Sequence, residues 1–253
     1  MSANTKNSFS PSLFFRRLSR FNFRRRQECS ILLRWLNARP GEAILDVGCG
    51  DGYYDALISR TGARVLGIDI HTRMLPFAQK YYSDERTEFV FMNAEEMDLP
   101  PQSFDKVMSL CVVEHFDHDE MVLQHISRVL KPGGRFVFSA DSLSNLGITA
   151  EEKERHRRRY AVNTFYDREM ISEKLARAGF AVEKMRYILH TPFALALVRV
   201  SWKLDDLPEW LGIIRTPGYL GLWALLQMVA PFSRKTAAAA SGGLTLLVQA
   251  RKI

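Results

Sequence analysis

A doubly wound α/β fold on a mostly parallel seven-stranded sheet is what this 253-residue sequence predicts. Three observations carry the expectation. Short apolar runs alternate with helix-like stretches from residue 42 to residue 141. Three glycines crowd into five positions immediately after the first run, in "AILDVGCGDG" (43–52). An apolar, proline-bounded stretch, residues 190–242, then separates the last strand-like run from the rest. Strand-helix alternation of this kind implies parallel strands with helices on both faces.

The elements follow in order. "EAILDV" (42–47) is a short buried-strand run, and "GYYDALISRTG" (52–62) has helical apolar spacing closed by a glycine. "RVLGIDI" (64–70) is a second strand. "RMLPFAQKYYS" (73–83) reads as a helix with Pro76 near its first turn, where proline is tolerated. "TEFVFMNA" (87–94) and "FDKVMSLCVV" (104–113) are the third and fourth strands. "DEMVLQHISRVLKPGG" (119–134) reads as a helix closed by a Pro-Gly-Gly turn, and "RFVFSAD" (135–141) as the fifth strand. "EEKERHRRRY" (151–160) is a charge run. "DREMISEKLARAGF" (167–180) is a helix capped at Gly179, "AVEKMRYIL" (181–189) a strand, and "GLTLLVQARKI" (243–253) the last strand. The sum is a Rossmann-like doubly wound architecture with an apolar helical insertion before the final strand.

With 47% hydrophobic and 25% charged residues, the composition is that of a globular protein and excludes disordered and collagen-like classes. The net charge of +7 is unevenly placed. Residues 1–34 hold eight basic residues and one acid, Glu28, and the remainder holds 27 of each sign. The basicity is therefore an N-terminal feature. Arg16, Arg17, Arg20, Arg24, Arg25 and Arg26 alternate with Phe14, Phe15, Leu18, Phe21 and Phe23, a mixture suited to an anionic membrane surface through residues 9–26. Nucleic acid is the less favoured partner, because a nucleic-acid enzyme usually continues its positive footprint around the active site. The arginines at 155 and 157–159 argue the other way, but Glu151, Glu152 and Glu154 dilute them. Cys29, Cys49 and Cys111 have no ligand spacing, so neither a disulfide framework nor a zinc site is expected. A reducing, cytoplasmic setting fits them, peripheral on the inner face of a membrane where the arm meets lipid. Residues 1–30 lack the continuous apolar run of a secretory signal. They are rich in Arg, Ser and Phe and poor in acids, which is also the composition of an organelle transit segment.

A strand, a glycine turn and a helix in succession form a nucleotide-type site, where bare backbone approaches the ligand. Here the spacing is Gly48-x-Gly50-x-Gly52, not GxGxxG. Asp51 lies within the turn, where it would repel a pyrophosphate. Asp69 ends the second strand, 23 residues after Asp46, where an acid can accept both ribose hydroxyls. The implied ligand is a nucleoside with a positive end and no phosphate. S-adenosylmethionine meets these conditions.

"ILDVGCGDG", "GIDI", "NAEEMDLPPQSFDKVMSL" and "ISRVLKPGGRFVFS" resemble the successive motifs of class I S-adenosylmethionine-dependent methyltransferases, nearest the ubiquinone/menaquinone and small-molecule branch. The resemblance covers about residues 40–140 well and 167–189 loosely. It implies that Gly48, Gly50 and Gly52 line the methionine part, with Asp46 orienting it and Cys49 beside them. Asp69, followed by Ile70, would hold the ribose. Asn93, Ala94 and Glu95 would border the adenine, with Asn93 standing where the family often has Asp. Leu110 and Cys111 would lie near the sulfonium. The domain organisation expected is a basic arm and helix over 1–34, a methyltransferase core over 35–189 plus 243–253, and an apolar helical insertion or lid over 190–242.

Methyl transfer is an in-line displacement at an activated carbon, so alignment is the protein's main task. A base matters where the acceptor must lose a proton. Glu114 and His115, in "VVEHFDH", follow the fourth strand at the edge where ligands bind, and are the candidate catalytic residues. His115 could equally pack the wall or cap the following helix; His118 reads as a solvated helix start. Tyr160 and Tyr166 are candidates for the acceptor pocket. Asp141 and Asn145 have metal-ligand side chains, but nothing else marks a coordination set, so no metal is expected. In the insertion, "GYLGLWALLQMVAP" (218–231) is too short to span a bilayer. Gly221, Ala224, Gln227 and Ala230 recur every third residue as a small-residue strip. With "PFALALVRVSW" (192–202) and Trp202, Trp210 and Trp223, the insertion suits a lid over a hydrophobic or lipid-like acceptor, or simply extra core.

Overall fold

The computed structural model of the protein describes residues 23–144, 147–207, 217–228 and 240–253. They belong to two compact units. The larger joins Glu28–His190 to Ala237–Ile253, and the smaller joins Met1–Gln27 to Thr191–Thr236.

The larger unit is built on a seven-stranded sheet in the order β3-β2-β1-β4-β5-β7-β6. Its strands are β1 Ala43–Val47, β2 Arg64–Asp69, β3 Thr87–Phe91, β4 Phe104–Leu110, β5 Leu130–Asp141, β6 Phe180–Ile188 and β7 Thr245–Lys252. Only β7 runs against its two neighbours. The other adjacent pairs are parallel. Continuous apolar runs make this possible: β1 and β4 are buried along nearly their whole length, as strands covered on both faces must be. β1 pairs with β2 on one side and β4 on the other, so the chain reverses direction across the sheet there. Ligands bind beyond the carboxyl ends of strands at such a switch point.

Helices α1 (Phe23–Leu36), α2 (Tyr53–Ser59), α3 (Leu75–Tyr82), α4 (Asp119–Val129), α5 (Ala150–Tyr160) and α6 (Arg168–Arg177) surround or adjoin the sheet in sequence. α4 buries Val122, Leu123, Ile126 and Val129, a spacing that places them on one face. They join a core with Leu45, Val107, Phe136 and Phe138. The last two rings stack at 4.5 Å. Truncating a buried Leu or Ile there to Ala costs about 2–5 kcal/mol.

One expectation is corrected. The Pro-Gly-Gly segment does not close a helix. α4 ends at Val129, and Leu130 already pairs with Phe104 as the first residue of β5. Pro132 disfavours helix at Lys131 and drives the chain into extended backbone. The four residues Lys131–Gly134 bulge between the Phe104–Leu130 and Lys106–Arg135 pairs, with Gly133 at φ 72°. The charge run at 151–160 is a helix, α5. Thr149 and Glu152 form a reciprocal capping box at its start, and Ala161 ends it in a left-handed conformation. Its buried residue is His156.

The smaller unit contains α7 (Pro192–Asp205) and a helix α8 over 217–228. Thr191 caps α7, accepting from the Ala194 N–H. α8 buries Tyr219, Leu222 and Leu226, whereas Gly221 and Ala224 are exposed. The small-residue strip is thus on the outer face, and Ala230 and Trp210 lie outside the described residues. Tyr219 donates its hydroxyl to Asp205, Arg24 donates to the same carboxylate, and the Arg26 guanidinium stacks over Trp223 at 4.6 Å. Two of the arginines counted in the basic arm are therefore engaged within this unit. Residues 9–22 of the arm lie outside the described residues. No helix among the described residues is long and apolar enough to cross a membrane.

Candidate active site

The glycine turn is tied to the end of β2. Gly48 and Cys49 both donate to the Ile68 carbonyl, at 2.8 and 3.1 Å. The Gly50 N–H donates to one Asp69 oxygen and the His71 N–H to the other, each at 2.7 Å. Gly48, Gly50 and Gly52 all have positive φ, 79°, 58° and 75°. They differ in what a side chain would meet. A Cβ on Gly48 would lie 2.4 Å from Val112, and one on Gly52 would lie 2.5 Å from the Phe89 ring. At Gly50 the nearest atom would be Met74 Sδ at 3.8 Å. Two glycines thus serve packing, and at the third a Cβ would find only ordinary contact with the tip of Met74, so packing does not demand a glycine there.

The charge around the turn is negative. Asp46 and Asp55 are buried, and Asp51 and Asp69 are half-buried. Such a set repels a phosphate and favours a cation. Burial, then the Asp55, Asp46 and Asp69 carboxylates, push the Cys49 thiol far up, so it stays protonated. Burial also pushes the Asp55 carboxyl up to about 7, with Asp51 and Asp69 adding to it. Beside Asp69, Ile70 is 59% exposed, and Phe91 at the end of β3 is 60% exposed. Exposed apolar surface at this edge is what a nucleoside would cover. Asn93 caps the short turn Ala94–Glu96 by accepting from the Glu95 N–H. The Glu95 carboxylate accepts from the His118 N–H, and the Ala94 carbonyl contacts His125 Nδ1. Leu110 is buried at the end of β4. The residues assigned to the cofactor therefore stand at the carboxyl ends of β1 to β4. Two open depressions, of about 320 and 450 Å³, lie at the opposite edge. In the first, Lys106 and Lys131 are already paired with Glu42 and Asp105.

A second group of polar side chains gathers beyond β4 and β5. Cys111 has φ 50°, outside the comfortable range for a residue with a Cβ. Its N–H donates to Ser139, and its Sγ lies 3.2 Å from a carboxylate oxygen of Glu28, a buried residue of α1. Ligating atoms of Cys111, Glu114 and Asp141 all lie within 4.8 Å of one another, close enough to hold a metal ion. Glu114 is fully buried. Asp141 lies 2.6 Å from Nε2 of the buried His156. The Glu114 carbonyl accepts from the Asn163 and Thr164 N–H groups, fixing this loop against the segment after α5.

Glu114 thus joins the cluster, and His115 does not. His115 is exposed, with Nδ1 3.0 Å from the Ala161 carbonyl. His118 is exposed at the start of α4. Tyr166 is buried, and its hydroxyl donates to Asp119, which also accepts from Lys174. That network braces α4 against α6 and commits the hydroxyl to structure. The ring of Tyr160 packs on His156 at 4.6 Å. Arg157 and Arg158 pair with Glu154 on the surface, as a solvated charge run does. Asn145 lies outside the described residues. Sequence reasoning missed Glu28, Asp55 and His156, and treated Asp141 only as a metal ligand. One signal was available for Asp55: it shares the inward face of α2 with Ile58 and Ser59. His156 had none, being embedded in a run of charges.

A family described as "Methyltransferase domain" matches residues 45–138. The ubiquinone biosynthesis O-methyltransferase of Mus musculus, a mitochondrial protein, is 32% identical over 167 residues, covering 61% of this chain and 45% of that protein. A demethylmenaquinone methyltransferase of Tropheryma whipplei is 34% identical over 113 residues, 45% of this chain and 46% of that one. The chain therefore spans less than half the length of these relatives. A solved S-adenosylmethionine-dependent methyltransferase from Mesorhizobium loti superposes with a TM-score of 0.64 at 20% identity, covering 89% of this chain and 97% of that one, and has the same fold.

Proposed function

Over residues 45–138 the chain belongs to the class I S-adenosylmethionine-dependent methyltransferase family, and on that premise we propose that it methylates a small, hydrophobic acceptor. The observation that carries the reading is the bare turn at Gly50, joined by its N–H to the carboxylate that ends β2. S-adenosylmethionine would lie across that turn, with Asp69 on the ribose and Ile70 beside it. Asn93, Ala94 and Glu95 would border the adenine. Asp46 would face the methionine end, and Leu110 and Cys111 the sulfonium.

The acceptor would meet Glu114 and Asp141. A nucleophile that must shed a proton can pass it to a carboxylate held this way. His115, at the surface, would line the approach. The two named relatives are a ubiquinone biosynthesis O-methyltransferase and a demethylmenaquinone methyltransferase, which favours a small, quinone-type acceptor over a polymer. The apolar composition of residues 190–242 points the same way, and we assign that segment and the basic arm over 1–34 to acceptor access and to an anionic membrane surface. Two settings are compatible with the arm: peripheral on a cytoplasmic membrane face, or organelle-targeted.

The test incubates the full chain and methyl-labelled S-adenosylmethionine with separate lipid, metabolite, RNA and protein fractions. Label in the organic-soluble fraction is expected. Label confined to RNA or protein contradicts the small-acceptor reading.

A further inference from the structure

Asp55 is a fully buried acid beside the glycine turn. It lies on the first turn of α2, and neither carboxylate oxygen has a well-formed hydrogen-bond partner. Its side-chain neighbour is the carboxyl of Asp46, itself buried near the end of β1. Two carboxylates within hydrogen-bond reach inside a protein resist being ionised together. Burial penalises each charge, and their repulsion adds to the penalty. One proton between them removes the repulsion and gives the Asp55 carboxyl a partner.

The titratable groups facing Asp55 are Asp46 from β1, Cys49 and Asp51 from the turn, and Asp69 from the end of β2. From α3 and β3, which pack on the same helix, Tyr82 is buried while Lys80 and Glu88 are exposed. The pair is thus surrounded by further acids, at the point where the bare turn would receive a cation.

We propose that Asp46 and Asp55 share one proton in the free protein and release it to solvent when the cationic methionine end of the cofactor settles on the glycine turn, which makes Asp55 part of the cofactor site. The inference rests on the cofactor reading above. The proton passes to the buffer, and no other bond forms or breaks. The direction agrees with the raised carboxyl of Asp55, up to about 7. Cofactor affinity then rises with pH, about tenfold per unit below about pH 7, and levels off above it.

Calorimetry on the full chain with S-adenosylhomocysteine, which keeps the ammonium group, tests this. Titrations in phosphate and in imidazole, whose ionisation heats differ, read the protons released. At about pH 6 the heats should differ by nearly one proton per site, and at about pH 8 they should nearly agree. Asp55→Asn and Asp46→Asn should each bind with buffer-independent heat, while Lys80→Gln, an exposed change outside the turn, keeps the difference. Buffer-independent heat in the natural chain at the lower pH, or release that persists in Asp55→Asn, overturns the proposal. Should Asp55→Asn fail to fold, Asp46→Asn and the natural chain still decide whether the pair releases a proton. No heat in any buffer is a separate failure, that of the cofactor reading itself.

Discussion

Compared with the carboxylate group beyond β4 and β5, the glycine turn after β1 is a local object. Its demands fall on the backbone of a few consecutive residues: positive φ at three positions, no room for a Cβ at two of them, and one acid at the next strand's end. The second group demands side chains instead. It draws Glu28 from α1, Cys111 from the end of β4, Asp141 from β5 and His156 from α5, residues far apart in sequence. A cofactor common to many enzymes can be held by a local backbone device. The side proposed for the acceptor is a constellation that the fold must assemble. The two regions can be broken separately.

The largest expected effect is at the turn. Gly48→Ala forces a Cβ to 2.4 Å from Val112 at a φ of 79°. The loss should be about 2–4 kcal/mol of stability, together with cofactor binding, measured by urea unfolding and calorimetry. Gly133→Ala is the sharpening control. Its φ is 72°, but nothing lies within 4 Å of the new Cβ, so only about 1 kcal/mol of backbone strain is expected.

Next comes the side proposed for the acceptor. Glu114→Gln or Asp141→Asn should slow methyl transfer about 100-fold, measured on whichever fraction takes up label. Cofactor affinity should stay within about twofold, because neither residue belongs to the turn. A parallel loss of cofactor binding would erase the distinction between the two regions.

The remaining prediction concerns stability and pH. The folded carboxyl of Asp55 is raised from 3.8 to about 7, so the folded chain holds a proton that the unfolded chain has lost. Its stabilising contribution is complete below about pH 4 and fades as pH rises through about 7. In Asp55→Asn that decline should be absent, and the pH dependence of Tm between about pH 4 and 7 should flatten.

The same contrast explains what could be read from the sequence. Strand order aside, the parallel sheet was legible because each strand is a continuous apolar run, as in "AILDV" and "FVFSA". The turn was legible because glycine spacing and strand-end acids are short-range patterns. The Pro-Gly-Gly segment misled because its turn chemistry is real, but pairing of Leu130 with Phe104 placed it inside a strand bulge. His156 was hidden because its burial follows from where α5 packs, not from any periodicity within a helix of charged residues. Glu114 and His115 looked equivalent as neighbours, yet adjacent residues leave a short helical turn in different directions. One became buried beside Asp141 and the other exposed.

The central claim is that a phosphate-free nucleoside lies across the turn with its sugar on Asp69. Calorimetric titration of S-adenosylhomocysteine into the full chain and into Asp69→Ala tests it most directly. The account predicts one site per chain in the natural protein and an affinity about 100-fold lower in the variant, which loses the ribose contact and the anchors to Gly50 and His71. Equal affinity in the two proteins, with the variant folded, would contradict it.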